Sequence, residues 1–412
     1  MKRAAAVTMI GTFVASLAAP GLAAPVGDAG LIIVADSGDS AWLLACTLIG
    51  ALCAIPGILL YVTAPQPHAL GKVATITTAA IALSTLLFLL CGFSLAFSPD
   101  GTVWIGGMSQ WMLNDMGTIR EGATVPETGF VLFQLVLAWA TATLLCAVLA
   151  MRARAAWLLG FTAFWLLLVL VPITRWMWGG GWLAEMGALD GTGGMVIFFS
   201  VAASAYVALL LIGRGAEKQV GPTNDMMRLG GALLMLVGMT ALAGGATLGA
   251  GDNAAVAMLA MVASGMTGAL TNAAVNRSLG GSALASGIVT GIVTVAVAGD
   301  GISVGSAWLM AATAVVIVHF APRLLPRALS PQDDSSSVIQ IAAAAKVGAL
   351  LFAVFLAFEP FQGSGYADGM TMTSQLIAQF TALLTIAGWS IFGTLVAALM
   401  VGLVTPMRAD GA

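Results

Sequence analysis

Apolar stretches of about 20 residues, the length a helix needs to cross a hydrocarbon core ~30 Å thick, follow one another along nearly the whole chain. We read eleven of them, at 40–64, 71–97, 128–151, 155–177, 194–213, 226–249, 253–275, 280–298, 302–321, 336–358 and 375–405. Only 8% of the 412 residues are charged, against roughly a quarter in a soluble domain that must coat its own surface. In lipid the backbone has no water to bond, and helices satisfy their polar groups without a neighbour. The expected fold class is an all-α polytopic membrane protein.

Basic residues set the orientation. If the first span enters from outside, the inner segments hold Lys72, Arg152, Arg154, Arg214, Lys218, Arg228, Arg277, Arg323, Arg327 and Arg408, and the outer ones only Arg120 and Arg175. Shifting the count by one helix destroys that asymmetry, so the positive-inside bias predicts eleven transmembrane helices, N-out and C-in. An odd number accommodates two inverted five-helix repeats, spans one to five and six to ten, plus one further helix. Ahead of the spans, Lys2 and Arg3 precede a short apolar run, Pro20 and the triplet Leu22-Ala23-Ala24. That order predicts a cleavable signal peptide over 1–24. An extracytoplasmic segment over 25–39, a membrane domain over 40–405 and a short cytoplasmic tail over 406–412 complete the division, and an inner (cytoplasmic) membrane is the expected location.

Several classes of function are disfavoured. A net charge of −3 without a basic patch offers nothing to nucleic acid. Cys46, Cys53, Cys91 and Cys146 lie singly within spans, with no metal-type spacing. His68 and His319 stand at span ends, and no nucleotide-binding or hydrolase motif is present, so neither an enzyme nor a cofactor is expected. The 50 glycines have a structural explanation: apolar helices gain little by association in lipid unless small residues let their backbones approach.

The stretch Trp176-Met-Trp-Gly-Gly-Gly-Trp-Leu183, followed by Gly187-Ala-Leu-Asp190 and Gly193-Gly194, demands more. Asp190 precedes the fifth span, where a carboxylate can accept from N–H groups two or three residues on and where its charge suits a helix start. An indole such as Trp178 can attract a small cation by ~1–2 kcal/mol once water is partly removed. Interfacial tryptophans are common, however, and Trp104, Trp111, Trp176 and Trp182 fit that plainer role.

This stretch resembles the segment leading into the fifth span of the ammonium transporter family, the Amt/Mep/Rh group. Other segments agree in order: Pro56-Gly-Ile-Leu-Leu-Tyr61, Phe93-Ser-Leu-Ala-Phe97, Phe133-Gln134, Met151-Arg152, Gly213-Arg214 and Asp333-Asp334. The resemblance implies a homotrimer with one pore per subunit, ammonium or ammonia as substrate, Trp178 at an outer cation site and Asp190 below the entrance. It also implies a possible PII-type signalling partner, although only a short tail follows the last span.

The family pattern breaks along the pore. Its two pore histidines fall on Phe198 and, within one residue, Ala342. Its paired entrance phenylalanines fall on Leu137 and Leu242, and its outer hydroxyl donor on Ala246. Lys346, one turn beyond Ala342 on the same face, stands near mid-span, where a lysine costs ~2.5–3.5 kcal/mol and is a functional candidate. It can act as a neutral amine passing protons or as a charge that repels ammonium; a lysine satisfied at a packed interface is the plainer alternative. Gln340, Ser200 and Ser204 rank lower, since hydroxyls in membrane helices often bond their own backbone. The expectation is transmembrane transport of ammonium or ammonia by a modified path. The alternatives are a non-conducting relative acting as a sensor or regulator, and a channel for another small solute.

Overall fold

The computed structural model describes residues 34–213, 223–324, 336–358, 361 and 363–408. The signal peptide expected at 1–24, Asp333-Asp334 and the tail end 409–412 lie outside the described residues.

Apolar helices succeed one another at nearly the expected positions. We number them α1 (Ser37–Thr63), α2 (Leu70–Leu87, continued by Phe88–Gly92 and Phe93–Phe97), α3 (Glu127–Leu149) and α4 (Ala155–Trp165, continued by Leu166–Leu170 and Val171–Trp178). Then come α5 (Gly194–Phe199 continued by Ser200–Ile212), α6 (Asp225–Ala246), α7 (Asp252–Asn276), α8 (Gly281–Val295), α9 (Val304–Leu324), α10 (Ser336–Phe355) and α11 (Met372–Gly402). Among the described residues nine helices are long and apolar enough to cross a membrane, while α8 and the apolar part of α9 are shorter. The described residues contain no strand, only isolated bridges such as Ile119 with Pro126.

Glycine seams hold the bundle together. α1 lies along α6, and a Cβ on Gly57 would stand 2.6 Å from the Met235 amide nitrogen, one on Gly231 2.5 Å from that of Tyr61. Gly238 meets Ala54 in the same way, and Gly50 admits the Leu242 side chain. α7 and α8 make a second seam, where Gly268 and Gly287 each face the other's carbonyl. Such approach is closed to any residue with a side chain, and it supplies the dispersion contact that lipid cannot outcompete.

Three helices are locally widened into π turns, at Phe88–Gly92, Leu166–Leu170 and Gly194–Phe199. A π turn costs regular hydrogen bonding and is found frequently at functional sites. All three border one pocket.

Candidate functional site

α4 brings Trp178 to the inside of the bundle through its spacing from Trp176. Residues two apart on a helix point to nearly opposite sides. Trp176 turns the other way, into an aromatic cluster with Trp104, Trp182 and Trp389 in which it is buried, and its indole N–H donates to the Trp104 carbonyl at 2.8 Å. Trp104 and Trp182 pack together at 5.3 Å between ring centroids. Arg175, buried beside them, donates to the Thr102 and Ser98 carbonyls at 3.0 and 2.9 Å. These groups fasten the segment after α2 to the end of α4, which is a packing role.

Trp178 faces a small pocket lined by α2 through Phe88, by α3 through Gln134, Leu137, Ala138 and Thr141, by α4 through Leu170 and Thr174, and by α5 through Val196 and Ile197. Each of the three π turns contributes to this lining. The walls are mainly apolar, with Gln134, Thr141 and Thr174 as buried polar points.

Asp190 holds the next wall in place. Its Oδ2 accepts from the amides of Met195 and Val196 at 3.0 and 2.7 Å, and its main-chain carbonyl accepts from Trp178 Nε1 at 2.6 Å. The acceptance expected from two or three residues on is thus displaced to five and six. The cause is the turn between: Gly193 has φ +91, a left-handed conformation open to glycine, and α5 begins as a π turn. Gly191 and Thr192 donate to the Val297 and Ala296 carbonyls at 2.8 and 2.7 Å, tying the turn to the end of α8. From the other side Gln379 of α11 donates to the Leu189 carbonyl and accepts from its amide, both at 2.9 Å. Gln375, one turn earlier, donates to the Gly187 carbonyl at 2.9 Å. Asp190 is 6% exposed, and its Oδ1 is buried without a partner.

The remaining candidates separate. Leu137 lines the Trp178 pocket. Leu242 is fully buried and packs into the space over Gly50 on α1. Ala246 and Ala342 are half-buried. Phe198 is 1% exposed, so a phenyl ring fills its surroundings. Lys346 does not join Trp178. It is exposed, and its Nζ lies 5.4 Å from the centroid of the Phe199 ring. Among the described residues it pairs with no carboxylate. Ser204 accepts from the Trp165 indole at 2.8 Å, and Ser200 bonds back to Val196.

Gln340 carries far more than its low rank foresaw. Its Nε2 donates to the Ser286 carbonyl and to Thr290 Oγ1 at 2.6 and 2.7 Å, while its Oε1 accepts from the Tyr61 hydroxyl at 3.3 Å. Arg228 Nη2 donates to Tyr61 Oη at 3.3 Å and to Ser286 Oγ at 3.2 Å. One polar network therefore spans α1, α6, α8 and α10. Sequence reasoning missed it because its members are 50 to 279 residues apart. The legible signal was the placing of arginine and glutamine within otherwise apolar helices.

A bundle of apolar helices sewn together by glycine, enclosing a small, mainly apolar pocket at three π turns, defines a multi-pass membrane protein. The Ammonium Transporter Family model matches residues 41–411, and the chain belongs to that family. It is 30% identical over 238 residues to an ammonium transporter of Aquifex aeolicus and 30% identical over 240 residues to the ammonium transporter Amt1 of Archaeoglobus fulgidus. Each match takes in 57% of this chain and only 56% and 58% of those relatives. A putative ammonium transporter of Methanothermobacter thermautotrophicus is 26% identical, with 89% of this chain and 92% of the relative covered. Among solved structures, a Mep2 mutant from Candida albicans superposes with a TM-score of 0.81 at 25% identity, over 93% of this chain and 91% of that one. A Sensor Amt Protein gives 0.81 at 20% identity, over 91% and 95%, a likeness of fold alone.

Proposed function

We propose that this protein moves ammonium or ammonia across a membrane through a passage within each subunit, entered beside Trp178. The observation that carries the reading is the join between Trp178 and Asp190. An indole at an apolar pocket is bonded to the residue that caps the next pore helix, so cation contact and helix position depend on one another. The apolar lining favours a small solute able to shed water, and an indole offers ~1–2 kcal/mol to a partly dehydrated cation. Membership of the family and the names of the relatives support the substrate.

The finer parts of this reading rest on the sequence. They are eleven spans with the N-terminus outside, two inverted repeats of five helices, a cleaved signal peptide, an inner-membrane location and a homotrimer. The glycine seam between α1 and α6, the first helices of the two halves, supports the repeat. A PII-type regulator belongs to the same group of proposals, on family resemblance only.

One observation favours a second reading, that of a sensor or regulator that does not conduct. Phe198 and Ala342 stand where the family carries pore histidines, and the Phe198 ring is sealed from access. Ammonium uptake into proteoliposomes distinguishes the two readings. Flux above that of empty vesicles, reduced in Trp178→Leu, supports transport; flux equal to empty vesicles with retained ammonium binding supports sensing.

A further inference from the structure

Two polar side chains at the Trp178 pocket have nothing to bond. Gln134 of α3 and Thr174 of α4 both line it, and they are 8% and 6% exposed. Among the described residues neither the Gln134 amide nor the Thr174 hydroxyl makes a hydrogen bond. Thr141, on the same wall, differs: its hydroxyl donates to the Leu137 carbonyl at 2.6 Å, as hydroxyls in membrane helices commonly do. An unpartnered polar group in an apolar interior is destabilising. Two of them, from different helices and around one small space, point to a ligand that meets both.

Helix spacing brings the pair together. Gln134, Leu137, Ala138 and Thr141 form one stripe of α3, and Leu170, Thr174 and Trp178 one stripe of α4. Thr174 therefore stands one turn from the indole, toward the middle of the bundle. The walls contributed by Phe88, Val196 and Ile197 are apolar, and the space has room for about one water-sized molecule. The amide and the hydroxyl together offer two oxygens that accept, and N–H and O–H groups that donate. Among the described residues no carboxylate lines the pocket. Asp190 reaches it only through the Val196 amide and the Trp178 indole, both of which donate to it.

We propose that Gln134 and Thr174 form a second subsite, one turn inward of Trp178, that takes the substrate nitrogen as it leaves the indole. Ammonium and ammonia both present N–H groups to the two oxygens, so the subsite replaces part of the water that either one sheds. The inference rests on the transport reading above and adds to it the residues that hold the substrate behind the indole.

The test measures ammonium uptake into proteoliposomes and, separately, unfolding temperature in ammonium chloride against sodium chloride. The proteins compared are wild type, Gln134→Leu, Thr174→Val, the double variant and Thr174→Ser. Neither apolar substitution breaks a bond within the protein, so the unfolding temperature in sodium chloride is expected to stay level or rise. Uptake is expected to fall about three- to tenfold in each single variant and further in the double. Thr174→Ser keeps the hydroxyl and is expected to recover much of the loss seen in Thr174→Val. Ammonium is expected to raise the unfolding temperature of wild type more than that of the double variant. Uptake at the wild-type level in the double variant overturns the subsite. Failure of both Gln134→Leu and Thr174→Val to fold also overturns it, because the two groups would then hold structure and not substrate. Wild-type uptake equal to that of empty vesicles overturns transport; the subsite falls with it if ammonium raises the two unfolding temperatures equally, and stands as a binding site if it does not.

Discussion

Trp178 and Asp190 are joined through the indole N–H of one and the main-chain carbonyl of the other, at 2.6 Å and twelve residues apart. The bond makes the tryptophan a strut as well as a surface. It sets the height of the turn whose carboxylate begins α5, and α5 supplies Val196 and Ile197 to the same pocket.

Substitution at Trp178 separates these two roles. Trp178→Phe keeps an aromatic face and removes the donor, leaving a buried carbonyl unmet at about 1–3 kcal/mol. We expect a lower unfolding temperature in detergent with uptake reduced only a few-fold. Trp178→Leu removes the face as well, and the apparent affinity for ammonium should fall by a further factor of about ten. Thermal unfolding and uptake curves measured side by side check the division.

The Asp190 carboxylate is expected to be structural first. Asp190→Asn retains an oxygen for the Met195 and Val196 amides, whereas Asp190→Ala strands both. The alanine variant should lose about 2–4 kcal/mol, and the asparagine variant clearly less. Fluorescence-detected gel filtration after heating measures the order; equal loss in the two variants would contradict the capping role.

Gln379 grips both backbone groups of Leu189. Gln379→Leu preserves bulk, leaves that amide and carbonyl without their partner, and should loosen the turn. Hydrogen exchange of amides 186–193 is expected to quicken by about ten- to a hundredfold, at a cost of about 1–3 kcal/mol, while amides of α7 stay unchanged.

The glycine seam predicts contrasting outcomes for the same substitution. Gly231→Ala places a methyl against the Tyr61 backbone and should cost about 3 kcal/mol or more, since a helix has to move. Gly388→Ala, with nothing within 4 Å of the added carbon, should be neutral or stabilising by about 0.5–1 kcal/mol. Yield of folded protein and its unfolding temperature decide it.

Acidification should release the segment after α2. The Asp100 carboxyl is held below its usual pKa of 3.8 by hydrogen bonds from Ser98 and then Ser109. A carboxyl depressed in the folded state contributes stability above the unfolded value and loses it as pH falls through the lower one. Exchange of amides 98–110 should therefore rise below about pH 4, and Asp100→Asn should remove that pH dependence.

The helices were legible because lipid imposes a length and a polarity that no other environment does. The expected 194–213 against the observed Gly194–Ile212, and 253–275 against Asp252–Asn276, differ only at their ends. Trp178 and Asp190 were legible as candidates because their segment resembles the one that leads into the family's fifth span. Their hydrogen bond was not, since its length depends on the left-handed turn at Gly193. Lys346 drew attention for its cost in lipid, yet it lies over Phe199 and away from Trp178. Spacing along one helix gives a direction but not the neighbour found there.

Sequence alone determined that this chain is a bundle of membrane helices with small residues where backbones meet, because both properties follow from each segment's own contact with lipid. Only the tertiary structure decided which polar groups share a space. Tyr61, Arg228, Ser286 and Gln340 come from four separate helices, and nothing local to any of them names the others. Their meeting is fixed by how closely glycines let α1 approach α6, at Gly57 and Gly231, and α10 approach α8, at Gly348, a property of the packed whole.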